Sequence, residues 1–316
     1  MQHAAPDRLA RDGVLVEQAV YTSVRTGRNE GYQLAVKSPG ISDQQARELT
    51  QWGPGHDSVY SGLHTTKTTN FHRMESGPYC VSQTVLAGRE YSGRGGQRVY
   101  THIFLVPPST LLRFGNNPFR IMDALVASGR FTVAEQVPLK LDPINLVGRA
   151  SLVNTVNLEQ ASRTIGPYKL ATLLNAALRT EPLGVVSSTP GRSLFSTLFD
   201  LLPLSVRPDF SFTTGLRISA IRHYRLAILP DAAEEQRQAI RQVHLDLVNL
   251  IHDPPSKYAP KSGWPELMYH LLKAEQFATI SEIMESTSHS AEQDTDLLAE
   301  QQRERLEKDA GDCLAL

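Results

Sequence analysis

The amino-acid sequence predicts an α+β fold: an N-terminal antiparallel sheet with few helices, then a small α/β region, and a helical C-terminal part that ends in an acidic tail. Three observations support this. β-Prone runs separated by glycine and proline turns fill residues 14–106. From residue 165 onward, amphipathic helical patterns alternate with short apolar runs. Residues 290–316 contain eight acids and three bases, which sets them apart from the rest of the chain.

In the N-terminal half, turn residues separate the predicted strands. Strands are predicted at residues 14–24, 31–38, 71–75 and 79–87, with a buried return strand that ends at Val106 and an edge strand at 131–141. Ser42 and Gln45 have the spacing of a capping box, so a helix is predicted from this point to Trp52. A second helix is predicted at residues 119–127, after Pro118.

In the C-terminal half, helical periodicity predominates. Helices are predicted at residues 168–178, 193–202, 232–251, 265–273 and 276–285, and strands at 183–187, 210–216 and 224–229. Residues 142–165 show no clear pattern and are taken as a boundary.

We therefore predict an α+β N-terminal domain over residues 1–150 and an α/β middle domain over 151–252. A short helical segment over 253–289 and an acidic, disordered tail over 290–316 would follow. The tail has more acids than bases and the whole chain carries a net charge of −1, so the remaining residues carry a net positive charge. We therefore expect the tail to dock on the basic hairpin that is described below.

Composition narrows the range of functions. Hydrophobic residues make up 41% and charged residues 21%, as in water-soluble globular proteins. A net charge of −1 gives no overall attraction to nucleic acid or anionic lipid. No apolar run is long enough for a membrane span, and the N-terminus does not resemble a signal peptide. Cys80 and Cys313 are expected to be free thiols, which points to a cytoplasmic protein.

The stretch from residue 84 to 106 is the strongest candidate for a site. It combines glycines that permit close approach of a ligand with side chains that could hold an anion or a protein partner. The candidate residues are Glu90, Arg94, Gly95, Gly96, Arg98 and His102. Arg98 and His102 are four residues apart and share a strand face. A solvated hairpin with a half-buried, structurally bonded His102 is the competing interpretation.

Other chemistries find less support. The loop at residues 187–193 lies between a predicted strand and a helix, as a phosphate loop does, but it has Arg192 where a P-loop requires lysine. Histidine spacings match no metal motif, so we expect neither a metal nor another cofactor. Cys80 lies in a predicted strand, which favours a core thiol over a nucleophile.

Two sets of residues resemble a known family. Residues 17–40, 92–96 and 100–106 together resemble the N-terminal type-two domain of bacterial GTPase-associated proteins. Residues 165–229 resemble the middle domain of the same proteins, above all in the run at 201–216. The resemblance implies an adaptor or scaffold in a bacterial conflict or signalling system, with a GTPase as partner. It implies no catalytic residue.

Three hypotheses follow from these observations. The first is a non-enzymatic adaptor that uses the hairpin for protein recognition, with neither nucleic acid nor membrane as partner. The second is an enzyme, or a domain that binds an anion or nucleotide, and it requires Glu90, Arg94, Arg98 and His102 to converge on a cavity. The third is a nucleotide-binding domain at Gly191.

Overall fold

Alternating β-prone and turn residues produce a long sheet, flanked by the amphipathic helices of the second half. A computed structural model describes residues 13–26, 29–63, 67–89, 96–129, 137–252, 256–288 and 294–314. The strands of the described residues are β1 (Val14–Thr26), β2 (Asn29–Lys37), β3 (Lys67–Arg73), β4 (Tyr79–Arg89), β5 (Gln97–Val106), β6 (Ile144–Leu146), β7 (Leu183–Val186), β8 (Phe212–Thr213), β9 (Leu226–Ile228) and β10 (Asp246–Asn249).

Helices cover both faces of this sheet. They are α1 (Asp43–Trp52), α2 (Pro108–Arg113), α3 (Pro118–Ala127), α4 (Thr155–Ile165), α5 (Pro167–Arg179), α6 (Gly191–Leu201), α7 (Ala233–Val243), α8 (Gly263–Lys273), α9 (Phe277–Thr287) and α10 (Thr295–Leu314). None of the helices in the described ranges is both long and apolar enough to cross a membrane. The predicted α+β class is confirmed.

One sheet runs through both halves of the chain. Its strand order is β10-β7-β9-β8-β3-β4-β5-β1-β2, and β6 pairs with β1 off this path. The strands from β3 to β2 pair antiparallel, whereas β10, β7, β9 and β8 pair parallel with one another. β3 and β8 join the two parts, with Phe71 opposite Phe212. The sheet therefore crosses residue 150, and the division into domains there stays a prediction.

An aromatic cluster lies where the two parts meet. Phe212 of β8 stacks on Phe119 of α3 at 4.8 Å between ring centroids and also contacts Phe71, Phe195 and Phe199. All five rings are buried. Burial of rings of this size supplies a large part of the hydrophobic stabilisation of a core.

The predicted helix α1 is confirmed with its cap. The Ser42 hydroxyl accepts from the Gln45 backbone N–H, and the Gln45 side chain accepts from the Ser42 N–H. These two bonds satisfy amides that the first turn leaves unpaired.

The predicted helix over residues 232–251 is wrong in its second half. α7 ends at Val243, because His244 adopts a left-handed conformation with φ 54°. The chain then forms β10, parallel to β7. Leu245 and Val248 are buried there, so pairing with the sheet outweighs the local helical pattern.

Other differences arise where short elements depend on distant partners. The strands predicted at 210–216 and 224–229 shorten to β8 and β9. Residues 137–141 form no strand, and the rest of the predicted edge strand, 131–136, lies outside the described residues. The unassigned residues 142–165 contain β6 and α4.

The segment expected to be a disordered tail contains the helix α10. Leu298 and Ala299 are buried against the main core, and Arg303 forms an ion pair with Glu266 of α8. The tail therefore packs on α8. The expectation of disorder is wrong for residues 295–314, because a few apolar side chains suffice when a neighbouring helix offers a matching face.

Candidate functional site

The predicted hairpin is formed by β4 and β5. The strands pair from Tyr79 opposite Val106 to Arg89 opposite Gln97, and side chains pass from buried to exposed toward Arg89. Among the predicted site residues, Glu90, Arg94 and Gly95 lie outside the described residues, whereas Gly96, Arg98 and His102 are described.

The base of the hairpin already holds an acidic group. The Asp57 carboxylate accepts from the backbone N–H of Gln97 at 3.1 Å. Gly96 has φ 105°, and a Cβ there would lie 2.9 Å from an Asp57 carboxylate oxygen. A glycine is therefore required at this position. The backbone amide of Gln97 is therefore already paired with a carboxylate.

Arg98 and His102 take part in contacts within the sheet. Arg98 donates through Nε to the carbonyl of Ala87 on β4 at 3.2 Å. His102 is buried, and its Nε2 lies 2.9 Å from the Oε1 of Gln18 on β1. Its ring also contacts Phe104, with 4.4 Å between centroids. Both described side chains therefore bond to neighbouring strands of the sheet, and a binding role for the predicted site residues stays a prediction.

The loop at residues 187–190 leads from β7 into α6 at the carboxyl end of a parallel strand. Ligands often bind at such positions in α/β sheets. A pocket of about 540 Å³ lies here between α4 and α6, and its lining, which includes Gln160, Thr189 and Ser193, is uncharged. Arg192 turns to Asp123 instead, at 2.5 Å. This pocket lacks the cation with which a phosphate loop holds its ligand.

The run at residues 201–216 contains a buried arginine clamp. Arg207 is fully buried, and its guanidinium donates to the carbonyls of Gly115, Leu152 and Leu202 at 2.8–2.9 Å. A longer bond of 3.4 Å reaches the carbonyl of Asp200. Arg207 therefore ties together three segments that are distant in sequence.

Asp200 completes the clamp. Its buried carboxylate accepts from Arg120 at 3.1 Å and from Asn117 at 3.4 Å. Burial raises the pKa of Asp200 to about 6, and the nearby Arg120 and Arg207 offset part of that rise. Burial lowers the pKa of Arg207 to about 10. Asp200 and Arg207 are both buried and bonded to protein atoms, which indicates that the clamp stabilises the fold.

The strands β1 and β6, which lie at the two ends of the N-terminal part, pair antiparallel with each other. Val14 pairs with Leu146 and Val16 with Ile144. Residues 15–146, which these two strands enclose, match the family model described as GTPase-associated protein 1, N-terminal domain type 2. This segment of the chain is therefore similar to that N-terminal domain, and we call it the GTPase-associated domain. A comparison with curated proteins gave no match. The resemblance of residues 165–229 to the family's middle domain stays a prediction.

A small chamber lies between the GTPase-associated domain and the residues Leu216 and Tyr224, and both polar and apolar side chains line it. Its cavity measures about 20 Å³, which is enough for a single water molecule. Among its lining residues, Asn70 donates to Ser82 at 3.3 Å and accepts from Thr213 of β8 at 2.7 Å. The side chain of Asn70 therefore links the GTPase-associated domain to β8, which is the neighbour of β3 in the sheet.

His72 and Cys80 lie opposite each other in this chamber, on β3 and β4. The His72 ring stacks on Trp52 at 3.8 Å, and neither ring nitrogen has a hydrogen-bond partner among the described residues. Burial lowers the pKa of His72 to about 3 and raises the pKa of the free Cys80 thiol. A neutral thiol beside a neutral imidazole is a poor nucleophile, which confirms Cys80 as a core thiol.

A pocket of about 450 Å³ opens near the amino ends of β7 and β9. Its floor includes Leu183, Ala227 and Leu245, and Arg222 lies in its wall. Sequence reasoning missed this pocket because its residues come from three segments that only the sheet brings together. In the part of the chain that the structure describes, no three His, Cys, Asp or Glu side chains are grouped to hold a metal ion.

Proposed function

We propose that the protein is a non-enzymatic adaptor in a bacterial conflict or signalling system built around a GTPase. The observation that supports this is the GTPase-associated domain at residues 15–146. The loop at 187–193 does not have the residues of a P-loop, which favours a partner of a GTPase over a GTPase.

We place protein recognition at the glycine- and arginine-rich hairpin. Arg89 is exposed at the outer end of β4, and Glu90 and Arg94, which lie outside the described residues, follow it in the sequence. The long β4–β5 pairing provides a firm base, which limits the entropy lost when the loop binds a partner. Arginine is among the residues that most often dominate the energy of protein interfaces.

An affinity-capture experiment tests this proposal. The intact protein is used as bait in native lysate, with GTP or GDP present, and captured proteins are identified by mass spectrometry. We expect capture of a GTPase, and we expect the double variant Arg89→Glu/Arg94→Glu to weaken its binding by about tenfold or more.

The matched control is Arg149→Glu/Arg179→Glu, which makes the same charge change at two exposed arginines away from the hairpin. It should bind as the unaltered protein does. The proposal fails if other partners are recovered and no GTPase is among them. The hairpin assignment alone fails if both double variants bind equally well.

A further inference from the structure

The pocket near the amino ends of β7 and β9 has the dimensions and lining of a small-molecule site. Its volume of about 450 Å³ lies within the range of about 300–1,000 Å³ that ligand pockets occupy. Leu183, Ile218, Val243 and Leu245 supply apolar surface. This pocket lies in a different part of the chain from the hairpin and the GTPase-associated domain, so the inference does not rest on the proposed function.

The lining of the pocket contains one arginine and one glutamate, which do not pair with each other. Arg222 lines it, is half-buried, and within the described residues pairs with no carboxylate. Its Nη2 donates to the carbonyl of Arg217 at 3.2 Å, and its buried Nε has no acceptor in the part of the chain that the structure describes. Glu181, the acidic residue of the lining, lies 3.5 Å from Arg225.

A half-buried guanidinium without a counterion gains from an anion that enters the pocket. Removal from water weakens the solvation of the charge, and a carboxylate restores it through charge-assisted hydrogen bonds. The apolar floor would at the same time bury the body of such a ligand.

We propose that this pocket binds a small carboxylate with an apolar body, with the carboxylate held by Arg222 and the apolar body placed on the floor. Tyr224 also lines the pocket, lies two residues after Arg222 in the sequence, and is buried. It also stacks edge-to-face on Trp52 at 5.3 Å. The wall of the pocket is thereby fixed against the GTPase-associated domain, which gives the ligand a preformed site.

The test is calorimetric titration of the full chain with octanoate, which joins a carboxylate to an apolar chain. Octanamide lacks the charge, and acetate lacks the apolar chain. We expect saturable binding of octanoate, and binding at least tenfold weaker for both other probes, because each loses one of the two contributions.

Two variants locate the site. Arg222→Gln should weaken octanoate binding by about tenfold to a hundredfold because it removes the charge-assisted bonds. Val243→Trp should abolish binding by filling the pocket. Arg237→Gln is the control, since Arg237 pairs with Glu234 on the exposed face of α7. Circular dichroism checks that each variant is folded.

The proposal is overturned if octanoate does not bind, or if octanamide binds as tightly. It is also overturned if octanoate binds the folded Arg222→Gln and Val243→Trp variants as tightly as the unaltered chain. None of these results would depend on capture of a GTPase.

Discussion

Several single residues of this chain bond distant parts of the structure to one another. Arg207 and Asp200 lie within or beside the run that resembles the family's middle domain, yet their burial was not predictable. A sequence shows that an arginine is present, but not that the carbonyls of the distant residues Gly115 and Leu152 converge on it. His102 was predicted as a candidate, and its bond to Gln18 gives it a structural role.

The pKa of the single residue His72 leads to a prediction of how folding stability depends on pH. Its pKa is about 3 in the folded state, against an ordinary value of 6.5. Above pH 6.5 both states are neutral at this residue, whereas below it only the unfolded state binds the proton. Folding stability should therefore fall by about 2 kcal/mol between pH 7 and pH 5 through this residue.

The measurement is urea unfolding of the unaltered protein and His72→Phe at both pH values. Phenylalanine keeps a ring to stack on Trp52 but has no titratable group. The variant should lose about 2 kcal/mol less than the unaltered protein on acidification. Equal losses in the two proteins would show that His72 becomes protonated in the folded state.

At the scale of helices and strands, the sequence predicted correctly those elements whose stabilising contacts lie close together in the chain. Helix α1 was predicted with its cap because the capping box is formed by Ser42 and Gln45, close in sequence. Strand β10 was not predicted, since its stability depends on pairing with β7, which lies about 60 residues earlier. The strands of the hairpin were predicted from local patterns. The pocket at Arg222 was not predicted, because the sheet brings together the distant segments that line it.

Helix α10 provides the prediction at this scale, through two adjacent leucines. Leu298 is 2% exposed and packs in the main core, whereas Leu297 is 41% exposed. Leu298→Ala should lower the free energy of unfolding by about 2–5 kcal/mol, because it leaves a cavity. Leu297→Ala should change it by about 0.5 kcal/mol or less. Urea unfolding measures both, and equal small effects would mean that α10 does not contribute to the core.

The whole molecule is held together across the predicted domain boundary. Phe71 and Phe212 pair between β3 and β8, and the buried bond from Thr213 to Asn70 adds a polar contact at the same junction. The Arg207 clamp reaches Gly115 from the other side of the boundary. Two units that share a sheet and a core in this way should unfold together, because exposure of either one removes burial from the other.

The two tryptophans of the chain report on the two parts separately. Trp52 ends α1 in the GTPase-associated domain, and Trp264 is buried in α8, where its Nε1 donates to the carbonyl of Leu201 at 2.8 Å. In the single-tryptophan variants Trp52→Phe and Trp264→Phe, we expect the fluorescence midpoint in urea to coincide with the circular-dichroism midpoint of the same variant. Comparison within one variant removes the stability change that the substitution itself causes. A fluorescence transition that precedes the loss of secondary structure in either variant would instead indicate domains that unfold independently, and the shared sheet would then not couple them.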